Sequence, residues 1–204
     1  MGSYSPHLHK NQGFFSMTTT LVLDKQKTLL DISESYKLLT KTYSVLSSLR
    51  DDYPDFHNWY FNKVIPGVLS GERIIILKIT NGHISGISIL KKNGNEKKIC
   101  TLRVTDNFQQ KGIGSELLYQ SCELLDTAKP LITVSSEKIK QFEKLFKSFD
   151  FKLTKCYYDY YTRSKHELSY NGFLNSNSKD DISALDGIIY QNQTADVTQL
   201  EILF

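Results

Sequence analysis

The chain has 204 residues, 40% of them apolar and 12% aromatic, with a formal net charge of +3. That length and composition describe one folded domain with a real core and exclude a disordered chain. No run approaches the roughly 18 apolar residues of a membrane span, and the first seventeen residues lack the apolar segment of a secretory signal.

The charge is uneven. Residues 172–204 hold one Lys against five acids, net −4, which leaves +7 on residues 1–171. A basic body suits an anionic ligand such as a nucleotide cofactor. Cys100, Cys122 and Cys156 are odd in number and widely spaced. They form neither a disulfide framework nor a zinc site, so a reducing cytoplasm is expected. The five histidines fall in no metal-binding register, and no metal is expected.

In chain order, residues 1–17 read as a leader. Residues 24–50 carry Leu29, Ile32, Tyr36, Leu39, Tyr43, Leu46 and Leu49 at alternating three-and-four spacing. That spacing predicts one long helix with a single core-facing stripe. Pro54 breaks it, and a short second helix is expected at 55–64, before Pro66-Gly67. Residues 73–80 are β-branched and end in Asn81-Gly82, a strong hairpin signal. Return strands at 84–91 and 97–105 complete a three-stranded antiparallel meander. A helix at 115–127, a short strand at 131–134, a helix at 137–149 and closing strands at 151–161 and 166–170 follow. Residues 18–171 thus form one α+β domain, and 172–204 an acidic tail whose apolar clusters lie at 188–190 and 200–204.

The loop between the third strand and the next helix carries the chemistry. Gln109-Gln110-Lys111-Gly112-Ile113-Gly114-Ser115 sits at a strand-to-helix corner. There, first-turn amides and the helix dipole favour a phosphate. It is not a Walker loop, because its Lys precedes the glycines. It is not a dinucleotide fingerprint either, because Leu117 occupies the third glycine position.

A Q-x-x-G-x-G loop after a strand ending in Leu102-Arg103-Val104 resembles the acetyl-CoA loop of the GNAT acetyltransferase superfamily. Residues 104–114 look particularly like the same segment of that superfamily's histone acetyltransferases. The resemblance covers about residues 20–171. It implies a mainly antiparallel sheet with a splayed strand pair, and acetyl-CoA as co-substrate. Backbone groups of Leu102 and Val104, with Arg103 between them, would then bind the pantetheine arm. The amides of Gln109, Gln110, Lys111, Gly112, Ile113 and Gly114 would hold the pyrophosphate, with Ser115 nearby. The implied reaction is direct attack of a primary amine on the thioester.

The chain departs from the family pattern twice. Where the family carries a tyrosine beside the sulfur, the chain has Phe146, which keeps the ring but has no proton to give; the following glycine position is Asp150. Where the histone acetyltransferases carry a basic glutamate, the chain has Lys98. Glu96, two residues earlier on the same strand face, is the candidate base. Tyr158 and Tyr160 are candidate acids, and Ser135 or Ser136 candidate partners for pantetheine. A CoA-binding module without chemistry, an RNA-borne amine as acceptor, and a homodimer all stay open, as does the acceptor itself.

Overall fold

The computed structural model describes residues 17–53, 55–94 and 96–174. Pro54, most of the leader and the apolar clusters of the acidic tail lie outside them.

A seven-stranded sheet runs in the order β1-β2-β3-β4-β5-β7-β6. Its strands are β1 (Thr18–Leu23), β2 (Arg73–Thr80), β3 (His83–Asn93), β4 (Glu96–Val104), β5 (Leu131–Ser135), β6 (Leu153–Tyr158) and β7 (His166–Tyr170). Every neighbouring pair is antiparallel except β4 and β5. The expected meander is β2-β3-β4. Its first turn places Asn81 and Gly82 at φ 50° and 80°, the left-handed pair that a two-residue hairpin requires. Strand β1 pairs along the outer edge of β2; the sequence reading had the domain begin there without assigning a strand.

Helices cover both faces. On one side lie α1 (Lys25–Leu30), α2 (Ile32–Leu46), α3 (Phe56–Trp59) and α4 (Ile65–Ser70), burying Leu39, Leu46, Phe56, Tyr60, Val64 and Val68 against Ile75, Leu77, Ile87 and Ile89. On the other lie α5 (Ile113–Leu125) and α6 (Ile139–Ser148), packed on Ile76, Leu90, Ile99, Ile132 and Leu168. Gly86 lets α5 approach β3 closely. A Cβ there would stand 2.7 Å from Ile113 Cγ2 and 2.8 Å from Leu117 Cδ1.

Two helical expectations need correction. The long helix is two helices, because Asp31 ends α1 and caps α2 by accepting from the Glu34 amide at 3.0 Å. The apolar stripe is also not covered along its whole length. Leu29, Ile32 and Tyr36 are 54%, 66% and 65% exposed, while Ser35, Leu39, Thr42 and Leu46 face the core. The second helix does not stop before Pro66. It continues through a π-turn over Tyr60–Val64 into α4, and the Ile65 amide bonds back five residues to Tyr60 O. Proline has no N–H and its ring crowds the carbonyl four residues back, so widening the turn accommodates it. Gly71, at φ 91°, ends α4.

Candidate acetyl-CoA cleft and acceptor pocket

Strands β4 and β5 pair only at Lys98↔Leu131 and Ile99↔Ile132. Beyond Ile99, β4 runs on to Val104 paired to β3 alone, so its β5-facing backbone edge is open. A β-bulge lies at this point: Leu90 pairs with Ile99 and Ile89 with Thr101, so Cys100 is the extra residue. Bulges bend a strand and increase its twist. This one places Cys100 and Thr101 together with Lys98 on the α2/α3 face, lining one cavity, while Leu102 and Val104 pack toward α5.

The open edge runs into the glycine loop. Residues Asp106–Phe108 form a 3-10 turn, Gln109 Nε2 donates to Asp106 Oδ1 at 3.1 Å, and Lys111 Nζ lies 5.3 Å from the centre of the Phe108 ring. Gln110 and Gly112 take φ 60° and 82°. Gly112 caps α5, and Glu116 is the first residue to bond back, to Gly112 O at 3.1 Å. The preceding first-turn amides therefore have no helical acceptor. A Cβ on Gly112 would meet nothing within 4 Å, and one on Gly114 only Val104 Cγ2 at 3.6 Å and Leu145 Cδ2 at 3.9 Å. The positive φ explains Gly112; nothing within the chain demands glycine at 114. Leu102, Arg103, Val104 and residues 109–115 are thus brought together along one edge and one helix start.

Phe146, the other residue expected at the cofactor, lies on α6, whose Leu145 Cδ2 would stand 3.9 Å from a Cβ on Gly114. Its ring is buried under α6, stacked on Phe151 at 5.5 Å and against Tyr170 at 4.7 Å. Asp150 takes the family's glycine position at φ 51°. Salt bridges to Lys129 and Lys152 hold its carboxyl below the usual carboxylate range.

The proposed acid and base groups are dispersed. Glu96 lies at the start of β4, before the paired rungs and at the end away from the loop, bonded to Lys91 Nζ at 2.8 Å. Tyr158 is exposed beside His166, and Tyr160 stacks edge-on between Tyr157 and Tyr161. Strand β6 ends at Tyr158 and Asp159 turns at φ 55°, so strand alternation does not carry on to Tyr160.

Where β4 and β5 part, a cavity of about 60 Å³ opens on the α2/α3 face. It is lined by Lys98, Cys100 and Thr101 from β4, Thr133 from β5, and the rings of Tyr53, Phe56, Trp59 and Tyr161. Tyr53 and Tyr161 also wall a smaller recess of about 10 Å³, formed with Asp52, Ser135, Lys138, Thr162, Lys165 and Glu167. Glu167 is 5% exposed on the internal strand β7, opposite Ser135 across the β5 ladder. Burial pushes its carboxyl up to about 7, against a hydrogen bond from Thr133 and the pull of Lys98 and Lys138. Burial likewise raises the Tyr53 phenol, helped by the Glu167 charge. Glu167 and Tyr53 were not among the sequence candidates. No local signal marked Glu167: strand alternation puts it on the face opposite Leu168, which is core.

Among the described residues no cluster of three His, Cys, Asp or Glu could hold a metal, and no helix is long and apolar enough to cross a membrane.

A mostly antiparallel seven-stranded sheet with one parallel pair that parts beside a helix start is the GNAT fold. No family model and no curated protein sequence matches the chain. Solved structures do match it in fold. Escherichia coli ElaA aligns at a TM-score of 0.56 and 15% identity, over 76% of this chain and all of that one. A Bacillus anthracis protein solved in complex with acetyl coenzyme A aligns at 0.47 and 16%, over 55% of this chain and 70% of that one. A nourseothricin acetyltransferase aligns at 0.45 and 14%, over 50% of this chain, which spans 65% of its length.

Proposed function

We propose that the protein transfers an acetyl group from acetyl-CoA to a primary amine by direct attack in a ternary complex. The observation that carries this reading is the continuity of the open β4 edge with the helix start at Gly112. An extended polar arm can hydrogen-bond along such an edge, while a pyrophosphate meets amides that are already fixed in place. Leu102 and Val104 would supply the edge, and the 109–115 backbone the anion site. The thioester would then lie near the parting of β4 and β5, above the cavity lined by Cys100, Thr101 and Thr133. Holding the two reactants there in order lowers the barrier by orientation, and no covalent intermediate is required.

Two measurements test it. Acetyl-CoA should bind the wild-type protein in calorimetry, and Gly114→Asp should weaken binding at least about tenfold, or ~1.4 kcal/mol. An acid in the first turn of a helix favours the helix, and the space at Gly114 is open, so the melting temperature should hold. Unchanged affinity removes the loop from the site. Thiol release should then appear with at least one pool of amines, peptides or RNA. Binding without release from any pool would make this a CoA-binding module instead.

A further inference from the structure

Proton removal is the step for which the expected residues are badly placed. Ammonium groups are almost fully protonated at neutral pH, so an attacking amine needs an acceptor within reach. Glu96 is committed to Lys91 at the far end of β4. Of the carboxylates lining the two adjacent cavities, Asp52 is tied to Lys138 and Lys165. Glu167 is the other.

Two polar atoms in the recess lack partners. Glu167 Oε1 and Ser135 Oγ are both buried without a hydrogen bond, on residues only 5% and 7% exposed. They belong to directly opposed residues of β7 and β5. An orphaned acceptor at such depth costs free energy unless something polar meets it. The recess holds about 10 Å³, the space of one water-sized group. It adjoins the larger cavity through Tyr53 and Tyr161, which wall both. Thr133, which bonds Glu167, lines the larger cavity where β4 and β5 part.

We infer that Glu167 is the proton acceptor for the attacking amine, working through the recess it shares with Ser135. This rests on the acetyl-transfer reading. The ammonium gives one proton to the Glu167 carboxylate by way of a single water in the recess. The freed nitrogen lone pair forms the C–N bond to the thioester carbonyl, and the C–S bond breaks. A second nitrogen proton ends on the departing sulfur, giving the amide and CoA thiol, and Glu167 returns its proton to solvent. An acceptor that titrates near neutrality is matched to this work.

The groups facing Glu167 set where it titrates. They are Lys98 on β4, Lys138 ahead of α6, Asp52 and Tyr53 after α2, Cys156 and the directly opposed Tyr157 on β6, and Tyr161 and Lys165 in the β6–β7 loop. Lys98 and Lys138 favour the carboxylate; burial and Asp52 oppose it.

The test is the pH dependence of kcat/KM for acetyl-CoA-dependent thiol release, in wild type, Glu167→Gln and Glu167→Asp. Wild type should lose activity on an acidic limb near pH 7. Glu167→Gln should fall about 10²-fold or more at pH 7 and lose that limb, with acetyl-CoA affinity in calorimetry unchanged. Glu167→Asp should keep the limb at reduced rate. An active wild type whose Glu167→Gln variant retains either its rate or the limb overturns the inference and leaves the transferase reading standing. A wild type that releases no thiol with any amine overturns the transferase reading itself.

Discussion

Glu167 sets a pH dependence of stability as well as of rate. Its folded-state value near 7 stands above the ordinary 4.5. Below pH 4.5 both folded and unfolded chains carry the neutral acid, and the stability it contributes is fully present. Between 4.5 and 7 the folded chain keeps a proton that the unfolded chain releases, so stability falls as pH rises through that window and levels off above it. A displacement of this size is on the order of 3 kcal/mol. Glu167→Gln removes it: the variant should melt level with wild type near pH 4.5 and several degrees higher at pH 8, at about 2–4 °C per kcal/mol for this length. Identical melting curves at both pH values would mean the native carboxylate is hydrated. This residue was hard to see in sequence. A lone acid in a strand looks solvent-facing until the order β5-β7-β6 makes β7 internal. Asp150 was misleading in the opposite way. Its side chain departs from the family glycine, yet its backbone adopts the left-handed turn that a glycine would provide.

Among the elements, α5 is the one on which the glycine loop depends, and Gly86 is what seats it. Any β-carbon on residue 86 drives into Ile113 and Leu117, both buried and without room to retreat. Gly86→Ala should therefore destabilise the fold by about 1–3 kcal/mol. Urea denaturation reads this as a lower midpoint at unchanged slope, and a midpoint equal to wild type would show that α5 shifts freely. The pattern of α1 and α2 teaches the converse. Their apolar residues obey helical spacing, yet the half near Asp31 is exposed: Ile32 shares a face of α2 with Leu39 and Leu46, but only the later turns of that face are buried. Leu30→Ser should change the melting temperature by no more than a degree or two, since Leu30 is 77% exposed. A loss of several degrees would place Leu30 in a contact within the chain. Periodicity identifies a helix readily, whereas how much of its apolar stripe is covered depends on what packs against each turn.

For the whole molecule, what was legible was what is local. The hairpin at Asn81-Gly82, the meander, the helix after the glycine loop and the closing strand at 166–170 could be placed from short stretches of sequence. The pairing of β4 with β5 and the insertion of β7 between β5 and β6 are set by residues far apart in the chain, and no short pattern reports them. The candidate site divides the same way. The glycine loop, proposed to hold the anion, is contiguous and could be read as a strand-to-helix corner; the cavity beside it is assembled from the end of α2, β4, β5, β7 and the β6–β7 loop, which no short stretch of sequence reports. Two consecutive rungs, at Lys98 and Ile99, are the whole backbone ladder between the four-stranded part of the sheet (β1 to β4) and the three-stranded part (β5, β7 and β6). The remaining cohesion comes from side chains: those of α5 and α6 on one face, and on the other the contacts of Asp52 and Tyr53 with Lys138, Tyr161, Thr162 and Lys165. The molecule is therefore mechanically anisotropic: pulled across that junction it should yield at lower force than when pulled along β2 and β3. A ligand lying in the parting would act as a splint, stiffening the sheet across its weakest line while adding little along the others.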